Sequence, residues 1–298
     1  MGKTSALKKA APVFVFLAGC LWGMIGLFVR RLSQYGFDSM EITALRSIAA
    51  LFLMTVGLLL YKRNLFVVHW KDLWCFIGTG LFSLTFFNLC YFKTISMTSL
   101  SIAAILLYTA PSIVMLLSAI LFREKIDIKK IVSLFLAFSG CVLVTGILGE
   151  NQTIRILGIL TGLGSGFGYA LYSIFGRYAL ERNYHTLTIT FYTFLFSAIG
   201  MLPFLSLHHV GEILTVNPSC IFLILLLGFF CTVCPYILYT VGLSGLEAGK
   251  ASVIASVEPV MATIVGMIAF GEKMSLTGCA GIVLVLLSIL IINRKSTS

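Results

Sequence analysis

Residues 80–125 read GLFSLTFFNLCYFKTISMTSLSIAAILLYTAPSIVMLLSAILFREK, and residues 228–273 read GFFCTVCPYILYTVGLSGLEAGKASVIASVEPVMATIVGMIAFGEK. At an offset of 148, Gly80 meets Gly228, Phe82 meets Phe230, Tyr91 meets Tyr239 and Ser96 meets Ser244. Ala103 meets Ala251, Pro111 meets Pro259, and Phe122-Arg123-Glu124-Lys125 meets Phe270-Gly271-Glu272-Lys273. Nearer the N-terminus the register slips by one: at an offset of 147, Gly19 meets Gly166, Trp22 meets Tyr169, Phe28 meets Phe175 and Arg30 meets Arg177. A period of this length marks a duplication. The boundary falls near Glu150 to Arg155, which gives one repeat over 1–150 and a second over 151–298.

The composition sets the class. Of 298 residues, 59% are hydrophobic and 11% are charged, against about 25% charged in a soluble domain. Charge-free runs cover Ala10–Val29, Leu73–Phe92, Thr94–Phe122, Ile131–Gly149, Ile156–Gly176, Leu187–Leu207, Ile213–Leu246 and Met274–Asn293. Two more apolar runs carry isolated charges: Ser39–Tyr61 with Glu41 and Arg46, and Ala248–Phe270 with Lys250 and Glu258. A spanning helix needs about 20 apolar residues, so the expected fold is an all-α polytopic membrane protein of ten transmembrane helices. The runs are continuous and lack the short alternating segments of a membrane β-barrel. Five spans per repeat is an odd number, so the second repeat inserts inverted, the arrangement of many secondary transporters.

Of the 21 Lys and Arg residues, fifteen fall on the N-terminal side of the membrane under this topology and six on the other. That bias places both termini in the cytoplasm of a multi-pass plasma-membrane (inner-membrane) protein. The net charge of +10 is therefore a topology signal, and its dispersal over many loops argues against nucleic acid. Leu17-Ala18-Gly19-Cys20 mimics a lipoprotein cleavage box after Lys8 and Lys9, but a first spanning helix has the same flanks. No phosphate-binding Gly-x-x-x-x-Gly-Lys motif is present, which excludes an ATP-driven pump acting alone. Cys231 and Cys234 form an isolated Cys-x-x-Cys string with no second pair, so no metal and no cofactor are expected.

The early Leu21-Trp22-Gly23, Arg46 in the second span, the Tyr91…Pro111 stretch and its repeat Tyr239…Pro259 resemble the EamA family of the drug/metabolite transporter superfamily. So do Glu258-Pro259 and the doubled Glu124-Lys125 and Glu272-Lys273. Thr94-Ile95 departs from the Ala-Leu common in that family. The resemblance covers essentially the whole chain. It implies a carrier, not an enzyme, that moves small metabolites by alternating access, often exporting amino acids or related compounds. A multidrug or lipid-linked substrate exporter is the alternative within transport. An intramembrane enzyme would need paired catalytic groups at one depth, where only Glu258 stands.

Glu258 is the sharpest candidate for the site, because a carboxylate in hydrocarbon costs several kcal/mol and faces a cavity or a partner. It is the candidate for proton coupling. Its alternative is a structural carboxylate locked to a Lys or Arg. Pro259 removes the hydrogen bond to the Ala255 carbonyl and suggests a hinge; Pro111 and Pro235 suggest two more. Spacing leaves open which face of the ninth span lines a cavity: Ala251, Ala255 and Ala262 share a stripe with Glu258, while Ser252 and Ser256 lie beside it. Trp22, Asn88, Tyr91, Tyr108, Tyr169, Tyr172, Tyr236 and Tyr239 are polar or amphiphilic groups at depth, suited to a substrate site or to anchoring and packing. Arg46 is a candidate for a substrate carboxylate. Gly158, Gly162 and Gly166 repeat every four residues, which reads as close helix packing. The expected partners are a small-molecule substrate, the lipid bilayer and protons; with both halves already fused, a monomer suffices.

Overall fold

A computed structural model describes residues 2–145 and 156–294. The repeat boundary expected at Glu150 to Arg155 lies outside the described residues. The chain is an all-α polytopic membrane protein. Nine long apolar helices are present among the described residues: α1 (Lys9–Ser33), α2 (Ser39–Tyr61), α3 (Trp70–Met97), α4 (Leu100–Phe122), α6 (Ile156–Glu181), α7 (Thr186–Phe204), α9 (Ser219–Gly245), α10 (Ala248–Phe270) and α11 (Leu276–Asn293). Two shorter helices complete the order, α5 (Ile128–Val144) and α8 (Leu207–Val216). The span expected over Ile131–Gly149 is thus the 17-residue α5, and its expected end at Gly149 is outside the described residues.

Side-chain caps set most helix starts. At α2, Asp38 Oδ1 accepts from Glu41 N at 2.8 Å while Glu41 Oε2 accepts from Asp38 N at 3.1 Å, a reciprocal capping box. Asp127 opens α5 and Ser275 opens α11 in the simpler way. Two expected boundaries are corrected. The charge at Lys93 does not divide two spans: α3 runs on to Met97, because the exposed Lys93 is close enough to the helix end to reach water. The chain turns at Thr98 instead, and Ser99 Oγ accepts from Ile102 N at 3.3 Å to start α4. Nor is Ile213–Leu246 one span. Ile213 belongs to α8, which buries Val210 and Ile213 and exposes Leu207 and Val216. Pro218 then starts α9, since proline is pre-set for a helix start and cannot continue one.

Two interruptions occur twice. The first is in α4, split into Leu100–Leu107 and Ala110–Phe122, and in α10, split into Ala248–Ala255 and Glu258–Phe270. Each second half has proline at its second residue, Pro111 or Pro259, whose missing N–H leaves the ladder open there. The second is a π-helical stretch in α3 (Gly78–Thr85) and in α9 (Phe229–Val233). Threonine hydroxyls reach five residues back in both: Thr85 donates to the Gly80 carbonyl at 3.2 Å and Thr232 to that of Leu227 at 3.1 Å. Pro235 stands two residues past the end of the second stretch. α4 and α10 also end alike, on left-handed residues Arg123 (φ 55°) and Gly271 (φ 67°).

The helices pair across the two halves. α1 packs on α9 and α10; α6 packs on α3 and α4. α2 packs on α7, and α5 on α11. α5 and α11 meet backbone to backbone: a Cβ at Gly140 would stand 2.7 Å from the Gly281 carbonyl oxygen. Gly158, Gly162 and Gly166 bring α6 against Thr98, Leu106 and Thr109 of the α3–α4 turn and α4. Small residues let helices approach this closely in a membrane, where no hydrophobic force drives them together. α1 and α6 thereby close around the breaks in α10 and α4, and the centre of the molecule lies between them.

Candidate functional site

Two small cavities occupy this centre, and Tyr169 lines both. The first lies beside the breaks in α4 and α10, among Tyr108, Pro111, Tyr169, Ser252, Ser256 and Glu258. Its volume is about 10 Å³, room for about one water molecule. The break at Ser256-Val257 answers the question of faces: it resets the helix phase, so Glu258 joins Ser252, Ala255 and Ser256 on one wall. Glu258 opens the second half of α10, where unpaired N–H groups favour a negative charge. Tyr169 Oη donates to Glu258 Oε2 at 3.5 Å, a long contact.

Aromatic rings build the second cavity. Trp22, Tyr169, Tyr172, Tyr236 and Tyr239 line it with Phe87, Ser83 and Ser173. Trp22 is 6% exposed and meets Tyr236 at 5.2 Å, Tyr239 at 5.4 Å and Tyr169 at 6.2 Å between ring centroids. Buried tyrosines need partners for their hydroxyls. Tyr172 Oη pairs with Thr240 Oγ1 at 2.6 Å and Tyr239 Oη with Ser173 Oγ at 2.7 Å. Both bonds join α6 to α9, so these two rings are fixed in orientation.

The remaining candidates stand apart from the two walls. Asn88 turns back on its own helix and donates from Nδ2 to the Leu84 carbonyl at 2.6 Å. Tyr91 stacks on Phe87 at 5.7 Å, one ring removed from the aromatic cavity. Arg46 lines neither cavity but lies within electrostatic range of Glu258 and Tyr236. Its Nε is buried with no hydrogen-bond partner among the described residues.

The profile of the EamA-like transporter family matches the chain twice, over residues 9–146 and 156–294. The chain belongs to the EamA-like transporter family. It is a membrane transporter of small molecules, and members of this family are carriers and not enzymes. An uncharacterized transporter of Archaeoglobus fulgidus is 30% identical over 285 residues, covering 95% of this chain and 98% of its own. The uncharacterized transporter YwfM of Bacillus subtilis is 25% identical, covering 94% of this chain and 93% of its own. A solved crystal structure superposes with a TM-score of 0.78 at 18% identity, over 96% of each chain, a likeness of fold.

The transporter's charges are unevenly satisfied. Asp72 holds Arg182 and Tyr184, Glu41 holds His209, Glu181 holds Arg177, Glu247 holds Lys130 and Glu272 holds Arg30. Glu124, Asp38 and Asp127 accept from backbone N–H groups at helix starts. Among the described residues, Glu258 has no cation within ion-pair distance and Arg46 has no acceptor on Nε. Leaving a buried polar or charged group unpaired is costly; Glu258 lines the cavity beside the helix breaks, and Arg46 stands outside both cavities but within electrostatic range of Glu258. Sequence reasoning missed Ser83, Phe87 and Ser173. A lone serine in an apolar helix usually bonds its own backbone, as Ser165 does to the Gly162 carbonyl, so nothing in the pattern marks the cavity-lining ones.

Proposed function

We propose that the chain is a secondary carrier that exports an amino acid or a related small metabolite by alternating access across the plasma membrane, with both termini in the cytoplasm. The observation that carries the reading is the pair of charges without an ionic partner, Glu258 in the cavity at the helix breaks and Arg46 within its electrostatic range, next to a second cavity walled by Trp22, Tyr169, Tyr236 and Tyr239 that shares Tyr169 with the first. A substrate bearing an ammonium and a carboxylate supplies both missing partners, and an apolar or aromatic body fits against the rings. Arg46 offers a planar fork that matches a carboxylate. Glu258 exchanges its proton for the substrate's cationic end, which couples transport to protons.

Alternating access rests on ten spans in two inverted repeats, 1–150 and 151–298, with α5 as the fifth. The support is geometric. Exchanging equivalent helices turns the α1–α9 packing into α6–α3 and the α1–α10 packing into α6–α4, while α2–α7 and α5–α11 map onto themselves. The helix breaks, the π-helical stretches and the left-handed ends also recur at an offset of 148 or close to it. Such pairs rock about a fixed midplane site. With both repeats in one chain, a monomer is the working unit.

Purified protein in liposomes, loaded with a panel of amino acids and subjected to a pH gradient, tests the reading. Gradient-driven flux of one class, abolished as net transport but retained as exchange in Glu258→Gln, is the expected result. Flux indifferent to pH and to that substitution removes Glu258 as the coupling group. No flux of any solute overturns the carrier assignment for this panel.

A further inference from the structure

Glu124 and Glu272 are equivalent at the offset of 148, and they are not doing the same thing. Glu124, just past α4, reaches across to α10: its Oε1 accepts from Ala248 N at 2.9 Å and its Oε2 from Gly249 N at 3.4 Å. These are the first two residues of α10, whose own N-cap residue, Glu247, makes no side-chain cap. The equivalent act would have Glu272, just past α10, accept from Leu100 N and Ser101 N at the start of α4. It makes no bond to either. Glu272 instead pairs with Arg30 and lies against Gly266 of its own helix, and Ser99 serves the α4 start through Ile102 N alone.

Packing follows the same division. The second half of α4 lies on the first half of α10, so the two helices meet at the end where Glu124 sits. The first half of α4 and the second half of α10, at the Glu272 end, are not packed on one another. Close α4–α10 packing is thus present at the Glu124 end and lacking at the Glu272 end. The contact is close without being crowded: a Cβ at Gly249 would stand 3.6 Å from the Met115 Cα and 3.7 Å from Glu124 Oε2, ordinary contact distances.

We propose that Glu124 and Glu272 are alternating latches, each closing its end of the transporter by capping the broken helix of the opposite repeat. The structure shows Glu124 engaged and Glu272 released. In the opposite state Glu124 lets go of Ala248 and Gly249, and Glu272 leaves Arg30 to accept from Leu100 N and Ser101 N. A carboxylate suits this task because a helix start presents several N–H donors and a positive dipole end that any approaching anion can take, without a unique side-chain geometry. The two latches are unequal. At the Glu124 end Lys130 Nζ also binds Glu247 at 2.9 Å and the Lys125 carbonyl at 2.6 Å. The equivalents of Lys130 and Glu247 are Gly278 and Ser99, which cannot form an ion pair, so the resting state favours closure at the Glu124 end.

The inference rests on the inverted-repeat reading above, and single-cysteine labelling separates the two. In a cysteine-free background, Met115→Cys reports the Glu124 end and its equivalent, Thr263→Cys, reports the other. Losing one capping interaction shifts the two-state population by about 2- to 30-fold. Glu124→Ala and the gentler Glu124→Gln are expected to raise maleimide labelling at 115 and lower it at 263 within that range. Glu272→Ala is expected to leave the labelling near that of the resting protein but to slow solute exchange, because the opposite state loses its latch. In addition, Glu272→Cys with Ser101→Cys is expected to cross-link, and more so when Glu124 is replaced. Labelling at both sites moving together in Glu124→Ala, or no cross-link in a protein that exchanges solute, overturns the latch mechanism. Reciprocal labelling shifts in a protein that moves none of the tested solutes sustain the latches and count only against the proposed substrate class.

Discussion

Gly23→Ala is expected to damage the transporter, and Gly26→Ala, three residues along the same helix, is not. An added Cβ at Gly23 would fall 2.6 Å from the Glu258 carbonyl oxygen, 2.7 Å from Met261 Cβ and 2.9 Å from Ala262 N. Ordinary contact begins near 3.4 Å, so the second half of α10 must retreat by about 0.8 Å along the line to Glu258. Two of the three obstructing atoms are backbone, which cannot swing aside as a side-chain tip can. Overpacking of this kind costs about 1–3 kcal/mol. At Gly26 nothing lies within 4 Å, and alanine there gains up to about 1 kcal/mol of helix propensity. The assay is thermal unfolding in detergent alongside solute exchange in liposomes. Gly23→Ala is expected to melt earlier and to lose exchange, because the displaced segment carries Glu258 into the cavity wall. Gly26→Ala should match or exceed the parent in both. If Gly23→Ala melts and transports like Gly26→Ala, α1 does not set the position of α10, and the close packing that fixes Glu258 is wrong.

Three further outcomes are expected. His209 Nδ1 lies 2.8 and 3.0 Å from the two oxygens of the buried Glu41, and that hydrogen bond, with the Glu41 charge, raises the imidazole above its ordinary value of 6.5. The folded state therefore holds the proton more tightly, so the stabilisation is full below pH 6.5 and fades as pH rises through the raised value; His209→Gln should flatten this slope in melting curves recorded from pH 6 to 9. Arg46→Lys removes a planar fork but keeps the charge, and the loss of one charged hydrogen bond, about 1.5–3 kcal/mol, should raise KM by about 10- to 150-fold for a carboxylate-bearing substrate and leave its ester unaffected. Arg123→Gly replaces a left-handed non-glycine residue with the type its equivalent Gly271 already has, and should raise melting stability by about 1 kcal/mol.

Much of the architecture was legible in the chain because membranes impose few solutions. Every backbone group in hydrocarbon must bond within its own helix, so apolar length alone located the nine long helices, and prolines 111 and 259 marked where two of them break. Boundaries failed where a charge was read as an end. Lys93 stays helical because its long stem carries the ammonium outward, and the end of α8 from Ile213 was absorbed into a span because no charge separates it from α9. The candidate site was legible by residue type and obscure by orientation. Glu258, Tyr108, Tyr169, Ser252 and Ser256 meet at one cavity, but a continuous helical wheel separates the serines from Glu258, and only the break at Ser256-Val257 reunites them. Asn88 had the same claim on the centre as Tyr169 until its amide was found bound to Leu84. No spacing rule distinguishes a polar side chain that faces a cavity from one that bonds four residues back.

The pattern of what was duplicated and what was not bears on how such a carrier works. The features to which the proposed mechanism assigns opening and closing occur in both halves: the broken helices, the prolines after the breaks, the π-helical stretches, and Glu124 with Glu272. The two charges of the proposed binding pair, Glu258 and Arg46, occur once each. Ala110 stands where the second half has Glu258, and Thr193 stands where the first half has Arg46, at offsets of 148 and 147. Thr193 is moreover fully occupied, bonded to Thr79 and to the Ile189 carbonyl. Each repeat thus contributes one charge, and neither half alone holds a complementary pair. A path that opens at two ends needs two gates of the same kind, so selection can keep both copies. A substrate that crosses one at a time needs a single binding pair, and a second copy would only add two costly charges in hydrocarbon. Symmetry kept at the proposed gates and lost at the proposed binding pair is the pattern expected of a carrier with one shared site, and a bundle merely enlarged by duplication has no reason to show it.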